Sequence, residues 1–358
     1  MNLYNKHKEE DGRIILSCLF SYFGEGDEVQ MHRCINVGII QMPIKKDTVK
    51  NLYYFEKQVA ELMAGFRKPE LIIGVEYISN LTPQYIPGPM TEYFGKIAKK
   101  YGVYMIPGTI CEKNDCLLEG KYYNTAPIFD PNGNLIDIYR KIIPWRPSEK
   151  MIEPGDRYVV FDIPEKKTKI GVQICYDLNF PEISRNEVLM GAEVLVKLTL
   201  DPMELFRLNR PIHFARAIEN QAYLVSTNGV GIFSESTLYG HSMVIDPQGQ
   251  CLWEAKESPA VGVITLDLDW VKKCREFGSL FIEHYLQNLC AFPPPMPFVG
   301  KMQKAPLFQT MKDIRQIQME DEEKRKGIPL HSVDHQNVNE SFRMKIEHHL
   351  DIFLNKEK

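Results

Sequence analysis

The sequence predicts one α/β domain, a four-layer α-β-β-α sandwich of two mixed sheets with an internal duplication. Three observations carry this. Short apolar runs with strand alternation recur between segments of helical spacing. Their order, β-α-β-α-β-β-β, occurs twice. In each half a hairpin turns on similar text, Asp130-Pro131-Asn132-Gly133 in the first and Asp246-Pro247-Gln248-Gly249 in the second. Two such sheets, each with helices on one face, can bury their bare faces together.

The elements justify this in order. Residues 1–33 form an N-terminal extension of mixed charge. Residues 35–41 read as the first strand. Leu52, Phe55, Val59, Leu62 and Met63 fall on one face of a helix over 48–66. Residues 71–75 are an apolar strand with Glu76 at its end, followed by a helix over 91–101 and a strand over 103–107. The first hairpin pairs 122–129 with 134–140 and is closed by Lys141. The second half repeats this with a strand over 169–174, a helix over 181–190 and a strand over 193–198. A helix over 211–220, a strand over 222–227 and the second hairpin complete it. Val37-Gly38-Ile39 and Ile170-Gly171-Val172 occupy equivalent places. The domain therefore covers residues 34–290. The tail, 291–358, opens on a proline-rich stretch that no helix interior accepts. It carries a charge run over 320–326 and ends on a helix with Phe342, Ile346, Leu350, Phe353 and Leu354 on one face. That stripe must be buried on the domain or on a second copy, so a homo-oligomer, a dimer or a multiple of dimers, is expected.

Composition narrows the function. The chain has 358 residues and a formal charge of −4, ample for a core and without the basic footprint of a nucleic-acid binder. Its eight cysteines show no C-x-x-C spacing, so neither a zinc site nor a disulfide framework is expected, and the location expected is a reducing, cytoplasmic one. The apolar run 14–23 is too short to cross a membrane. Acidic Glu9, Glu10 and Asp11 and the text Phe23-Gly24-Glu25 do not suit a signal peptide. An N-terminal arm packed on the domain is expected instead.

Residues 169–182 organise the chemistry. A strand ends at Cys175, and Asn179 with Glu182 and Pro181 looks like a helix start. A cysteine on such a turn can be aimed out of the sheet and can attack a carbonyl carbon. A lone cysteine is usually a small buried core residue, and a lone Glu or Lys at a strand end is usually a solvated charge. Here Glu76, Lys141 and Cys175 all sit at element ends, where sheets expose residues to a shared cleft.

Three neighbourhoods give the set its meaning. They are the text around Glu76, the stretch Tyr139-Arg140-Lys141-Ile142-Ile143-Pro144-Trp145-Arg146-Pro147-Ser148-Glu149 followed by Pro154-Gly155-Asp156, and the Cys175 turn. Over residues 34–290 they resemble the nitrilase superfamily of carbon–nitrogen hydrolases, with the middle stretch closest to its aliphatic amidase and formamidase branch. Gly191-Ala192-Glu193 and Arg216-Ala217-Ile218-Glu219-Asn220 also match the family's text. The resemblance implies Cys175 as nucleophile, Glu76 as general base, and Lys141 with the backbone N–H of Tyr176 as oxyanion donors. It implies Glu149 as the second glutamate that positions Lys141 and substrate. It further implies hydrolysis of a small carboxamide to carboxylate and ammonia through a thioester. Substrate and water are the partners; no metal or organic cofactor is expected.

Two departures bear on the pocket. Val75 stands where the family commonly has Pro, and Arg146 follows the Pro-Trp pair. Tyr77, Trp145, Arg146 and Asp201 are the residues expected to shape the substrate pocket. An N-carbamoyl amidohydrolase or a nitrilase is the sister alternative, and Arg146 or Arg207 on a substrate carboxylate would favour the carbamoyl reading. A catalytically inactive binding or scaffold protein is the alternative of another class.

Overall fold

The structure, a computed structural model, describes residues 33–311 apart from 147, 296, 298, 299 and 310. The N-terminal arm, the 320–326 charge run and the apolar stripe of the final helix lie outside the described residues.

The first half runs β1 (Cys34–Gln41), α1 (Thr48–Ala64), β2 (Leu71–Val75), α2 (Pro89–Tyr101), β3 (Tyr104–Gly108), β4 (Ile110–Glu112), β5 (Tyr123–Phe129) and β6 (Leu135–Arg140). The second runs β7 (Val160–Ile163), β8 (Thr168–Ile174), α3 (Pro181–Leu189), β9 (Val194–Thr199), α4 (Phe206–Asn220) and β10 (Tyr223–Asn228). It continues through β11 (Val230–Phe233), β12 (Ser236–Tyr239), β13 (Met243–Ile245) and β14 (Cys251–Glu254). Then follow β15 (Ala260–Asp267), α5 (Leu268–Phe277), α6 (Tyr285–Ala291) and α7 (Pro306–Gln309).

The two halves build equivalent sheets. One has the order β15-β1-β2-β3-β5-β4 with β6 beside β5, and the other the order β14-β13-β10-β9-β8-β7. In each, three parallel strands, β1-β2-β3 and β8-β9-β10, continue into an antiparallel hairpin, β5-β6 and β13-β14. Each first strand is flanked by an antiparallel neighbour, β15 on β1 and β7 on β8. Gly38 faces Ile72 across the first pair, and Gly171 faces Leu195 across the second. Neither leaves room for a side chain: a Cβ on Gly38 would lie 2.9 Å from Pro69, and one on Gly171 would lie 2.6 Å from Glu187.

The hairpin turns are built alike. Asp130 Oδ1 accepts the N–H groups of Asn132 and Asn134 at 2.9 and 2.8 Å, and Asp246 Oδ1 accepts those of Gln248 and Gln250 at 2.9 and 2.8 Å. Gly133 and Gly249 both take positive φ, +83° and +86°, which a side chain would resist.

Side-chain alternation makes the layers. Ile35, Val37 and Ile39 of β1 and Leu71 and Ile73 of β2 meet Ile170, Val172, Ile174, Val194, Val196 and Leu198 of the other sheet in one core. Ile40, Ile72 and Val75 face outward onto Leu52, Phe55, Val59 and Leu62 of α1 and Phe94 and Ile97 of α2. Leu195, Leu224 and Ile245 meet Val188 and Ala217 of α3 and α4. Three apolar cores between four layers are the expected sandwich.

Two helix starts depart from the sequence expectation. Helix α4 starts at Phe206 and holds Pro211 inside it. Proline fixes φ near its helical value, so a proline can sit in a helix at the loss of one hydrogen bond. The start expected at Asn179 is displaced: Cys175–Asn179 is a 3₁₀ turn, and Phe180 caps α3.

Gly74 sits immediately before the end of β2, and a Cβ there would run into the backbone carbonyl of Pro107 on β3. Gly74→Ala should cost about 1–3 kcal/mol of unfolding free energy by overpacking. Urea denaturation checks this, and an unchanged midpoint would contradict the close approach of β2 and β3.

Candidate active site

Glu76, Lys141 and Cys175 are the first residues after β2, β6 and β8. The two sheets are fastened beside them. Thr227 Oγ1 of β10 donates to the carbonyl of Gly74 of β2 at 2.6 Å. The Glu76 carboxylate is then reached from both halves. Its Oε1 accepts from Asn124 Nδ2 at 2.8 Å and Lys141 Nζ at 3.0 Å, and its Oε2 accepts from the N–H of Leu200 at 2.9 Å.

Lys141 is only 1 % exposed, so its ammonium needs charged partners. It has two, Glu76 and Glu149, the latter at 2.9 Å. Glu149 is held in turn by the Tyr77 hydroxyl, which donates at 2.6 Å, and by the Trp145 N–H. The guanidinium of Arg146 donates to the carbonyls of Glu149 and Ile152, clamping the loop that carries Glu149.

Cys175 has φ of +52°, the left-handed region a non-glycine residue rarely adopts. Such a conformation costs of the order of 1–3 kcal/mol and persists where its surroundings over-determine it. Here Asp177 does so. Its carboxylate accepts from the Ile174 N–H at 3.1 Å, the Tyr139 hydroxyl at 2.7 Å and the Ile143 N–H at 2.8 Å. Tyr139 and Ile143 flank Lys141 by two residues on each side. One buried carboxylate thereby fixes the cysteine elbow and the lysine turn to each other.

Electrostatics tie the set together. Burial pushes the Cys175 thiol well up; the charge of Glu76 adds to this and that of Lys141 opposes it. Burial also pushes Glu76 up, against the attraction of Lys141. Burial works against the Lys141 ammonium, but the charges of Cys175, Glu149 and Glu76 outweigh it and hold the proton on. For Glu149, burial is overcome by Lys141, the Tyr77 hydroxyl and the Trp145 N–H, and its carboxyl is lowered. The geometry thus offers a thiol, a carboxylate with raised proton affinity and a fixed cation, which is what acyl transfer requires.

A small cavity of about 20 Å³ opens on Cys175, lined by Trp145, Tyr176, Asn179, Leu200, Asp201, Pro202, Leu205 and Asn209. Of the residues expected in the pocket, Trp145 and Asp201 line it. Tyr77 and Arg146 lie behind, on Glu149 and its loop, and Arg207 is exposed outside the cavity. Asn124 and Lys197 escaped the sequence reading, and Asp177, expected to shape the acyl pocket, instead fixes the elbow and the lysine turn. Asn124 sits in a plain strand text, and Lys197 in a buried strand, so neither carries a local signal. Asp177, two residues from the elbow cysteine, did carry one, as the acidic residue of a tight turn.

The sequence pattern of the carbon-nitrogen hydrolase family matches residues 36–276. The chain belongs to that family. It is a carbon–nitrogen hydrolase acting on non-peptide bonds. An omega-amidase of Xenopus laevis is 31 % identical over 259 residues, 67 % of this chain and 90 % of its own length. A deaminated glutathione amidase of Dictyostelium discoideum is 30 % identical over 260 residues, 66 % of this chain and 84 % of its own. Among solved structures, Nit3 of Saccharomyces cerevisiae, a nitrilase-superfamily member, superposes with a TM-score of 0.63 at 24 % identity, over 70 % of this chain and 96 % of its own. That likeness confirms the fold of this carbon–nitrogen hydrolase. Among the described residues, no helix is long and apolar enough to cross a membrane.

Tyr77→Phe removes a hydroxyl that donates to a buried carboxylate. A hydrogen bond to a charged group contributes about 1.5–3 kcal/mol, and the variant should lose that much in urea unfolding. No loss would mean that Glu149 is held by Lys141 and the Trp145 N–H alone.

Proposed function

We propose that the protein is an amidase that hydrolyses a small carboxamide to carboxylate and ammonia through a thioester on Cys175. The observation that carries this is the buried Lys141 ammonium held between Glu76 and Glu149 while its charge and that of Glu76 act on the Cys175 thiol. The amidase names of the Xenopus and Dictyostelium relatives point the same way.

The steps follow from the groups present. Sγ attacks the amide carbonyl carbon as its proton passes to Glu76. The carbonyl electron pair moves to oxygen, where Lys141 Nζ and the Tyr176 N–H meet the developing charge. Collapse breaks the C–N bond, and Glu76 returns the proton to nitrogen, so ammonia leaves. A water then attacks the thioester with Glu76 again as base; the C–S bond breaks and the thiol is restored. Glu149 positions Lys141 throughout. Each positioned proton transfer contributes about 10²–10⁴-fold, and an oxyanion donor about 2.7–4 kcal/mol.

The same reading places the catalytic domain at 34–290, in a reducing cytoplasmic setting, as a homo-oligomer. Seven cysteines of the described residues are free thiols, which supports the setting. The apolar stripe of the tail supports the oligomer. Arg146 is engaged by two carbonyls and Arg207 lies outside the cavity, which favours the amidase over the carbamoyl alternative.

Ammonia release from formamide, acetamide, propionamide, a longer amide, an N-carbamoyl amino acid and a nitrile tests the reading. Short amides should be turned over, and Cys175→Ser should lose about 10³-fold or more. Near-normal turnover by that variant would overturn the mechanism. The pH profile gives a second check. Glu76 acts ionised and burial raises its carboxyl, so kcat/KM should fall as pH drops through a midpoint above the ordinary carboxylate value of about 4.3. A midpoint at or below that value would argue against Glu76 as the base.

A further inference from the structure

Behind the elbow lies a second buried charge cluster that the mechanism does not use. Lys197 Nζ, fully buried, donates to Asp201 Oδ2 at 2.6 Å. The Tyr239 hydroxyl donates to the same oxygen at 2.9 Å. Asn228 accepts the Asp201 N–H at 2.9 Å through its Oδ1 and donates to the Asp201 carbonyl at 3.4 Å. His213 Nε2 lies 3.4 Å from Lys197 Nζ and 3.0 Å from Ser226 Oγ, and its Nδ1 lies 2.7 Å from the Asn209 carbonyl. Burial and the charge of Lys197 lower its pKa to about 3, so the ring is neutral and can accept from the ammonium. Burial acts against the Asp201 carboxylate, but the Lys197 charge and hydrogen bond prevail and keep it ionised.

This arrangement uses up one carboxylate oxygen and aims the other at the reaction. Asp201 Oδ1 lies 3.4 Å from Cys175 Sγ, whose thiol hydrogen it accepts, and Asp201 lines the cavity. When the thiol proton leaves and sulfur is acylated, Oδ1 loses that donor. A buried carboxylate oxygen without a donor is unfavourable, so a donor brought by the substrate is rewarded. In a reactive complex the carbonyl carbon lies about 3–3.5 Å from the nucleophile, much as Oδ1 does. Both stand beside the same sulfur, and a donor on the first or second carbon of the acyl chain is the nearest one a substrate can offer Oδ1.

We propose that the acyl pocket is built for a short amide whose acyl group carries a hydrogen-bond donor, a hydroxyl or an ammonium, held by Asp201 Oδ1. This rests on the amidase reading of the same site. Charge agrees with it. Four carboxylates, Glu76, Glu149, Asp177 and Asp201, stand against two ammoniums, Lys141 and Lys197, and among the described residues no cationic side chain lines the cavity. An acyl group ending in a carboxylate is repelled there. Lys197, Tyr239 and Asn228 are positioning residues that hold Asp201 in place.

Binding separates this proposal from turnover. Calorimetry on the full-length Cys175→Ala protein would compare propionamide, 2-hydroxypropionamide, 2-aminopropionamide and 3-carboxypropionamide. At least one donor-bearing amide should bind about tenfold tighter than propionamide, the carboxylate-bearing amide weakest, as one hydrogen bond to a charged group predicts. Adding Asp201→Asn should collapse that preference. Pairing Asp201→Asn with Lys197→Gln gives the same readout without leaving a lone buried ammonium. Equal or absent binding of the donor-bearing amides, or a preference that survives both variants, would overturn the proposal. Ammonia assays on the intact protein judge the amidase reading separately. A binding preference without turnover of any amide would sustain the pocket assignment and overturn the reaction.

Discussion

The site depends on one constraint, the ammonium of Lys141 carried into the interior. A lone charge there is expensive, by several kcal/mol even after relaxation, and tolerable only with close, well-satisfied counter-charges. Glu76 and Glu149 supply them at 3.0 and 2.9 Å. Each carboxylate brings further obligations. Glu76 draws on Asn124 and the Leu200 N–H, and Glu149 on Tyr77 and the Trp145 N–H. The chain of satisfied bonds runs outward from one nitrogen until it has fixed the ends of both sheets. Removing either carboxylate would take one of the two counter-charges from Lys141 and leave that carboxylate's other donors unpaired, so the members of the set support one another.

The duplication explains how one nitrogen can be reached from so many elements. Leu200 follows β9 as Glu76 follows β2, and β9 and β2 hold equivalent places in the two sheets. One supplies the Glu76 carboxylate and the other the backbone donor that orients it. Met42, buried, follows β1 where Cys175 follows β8. The two halves share a scaffold and have divided the labour at its strand ends. Asp177 then locks the parts across the division, joining the cysteine elbow of the second half to the lysine turn of the first.

Much of this was legible in the sequence, for physical reasons that can be named. Alternation in β1 and β8 and helical spacing in α1 report which faces are buried, and those faces set the layers. The paired turns at Asp130 and Asp246 report their own geometry because the aspartate, proline and glycine act locally. The places of Glu76, Lys141 and Cys175 at element ends could be read from such local signals, while the roles expected of them came from the family resemblance alone. Contacts between distant segments could not be. The Leu200 N–H that steadies Glu76 lies 124 residues away, and Asn124 lies 48 away. Nothing beside Lys197 in the chain shows that its strand runs beneath Asp201 and His213. The start of α4 was misplaced because a proline that can open a helix sits inside this one.

Under the proposed mechanism carbon–nitrogen bond cleavage passes through a thioester on Cys175, which intact-protein mass spectrometry after rapid quenching with a short amide can catch. A mass increase of one acyl group, mapped to the peptide carrying Cys175 and absent from Cys175→Ser, is expected. Ammonia released with no acyl adduct at any quench time, or an adduct on another residue, would contradict it.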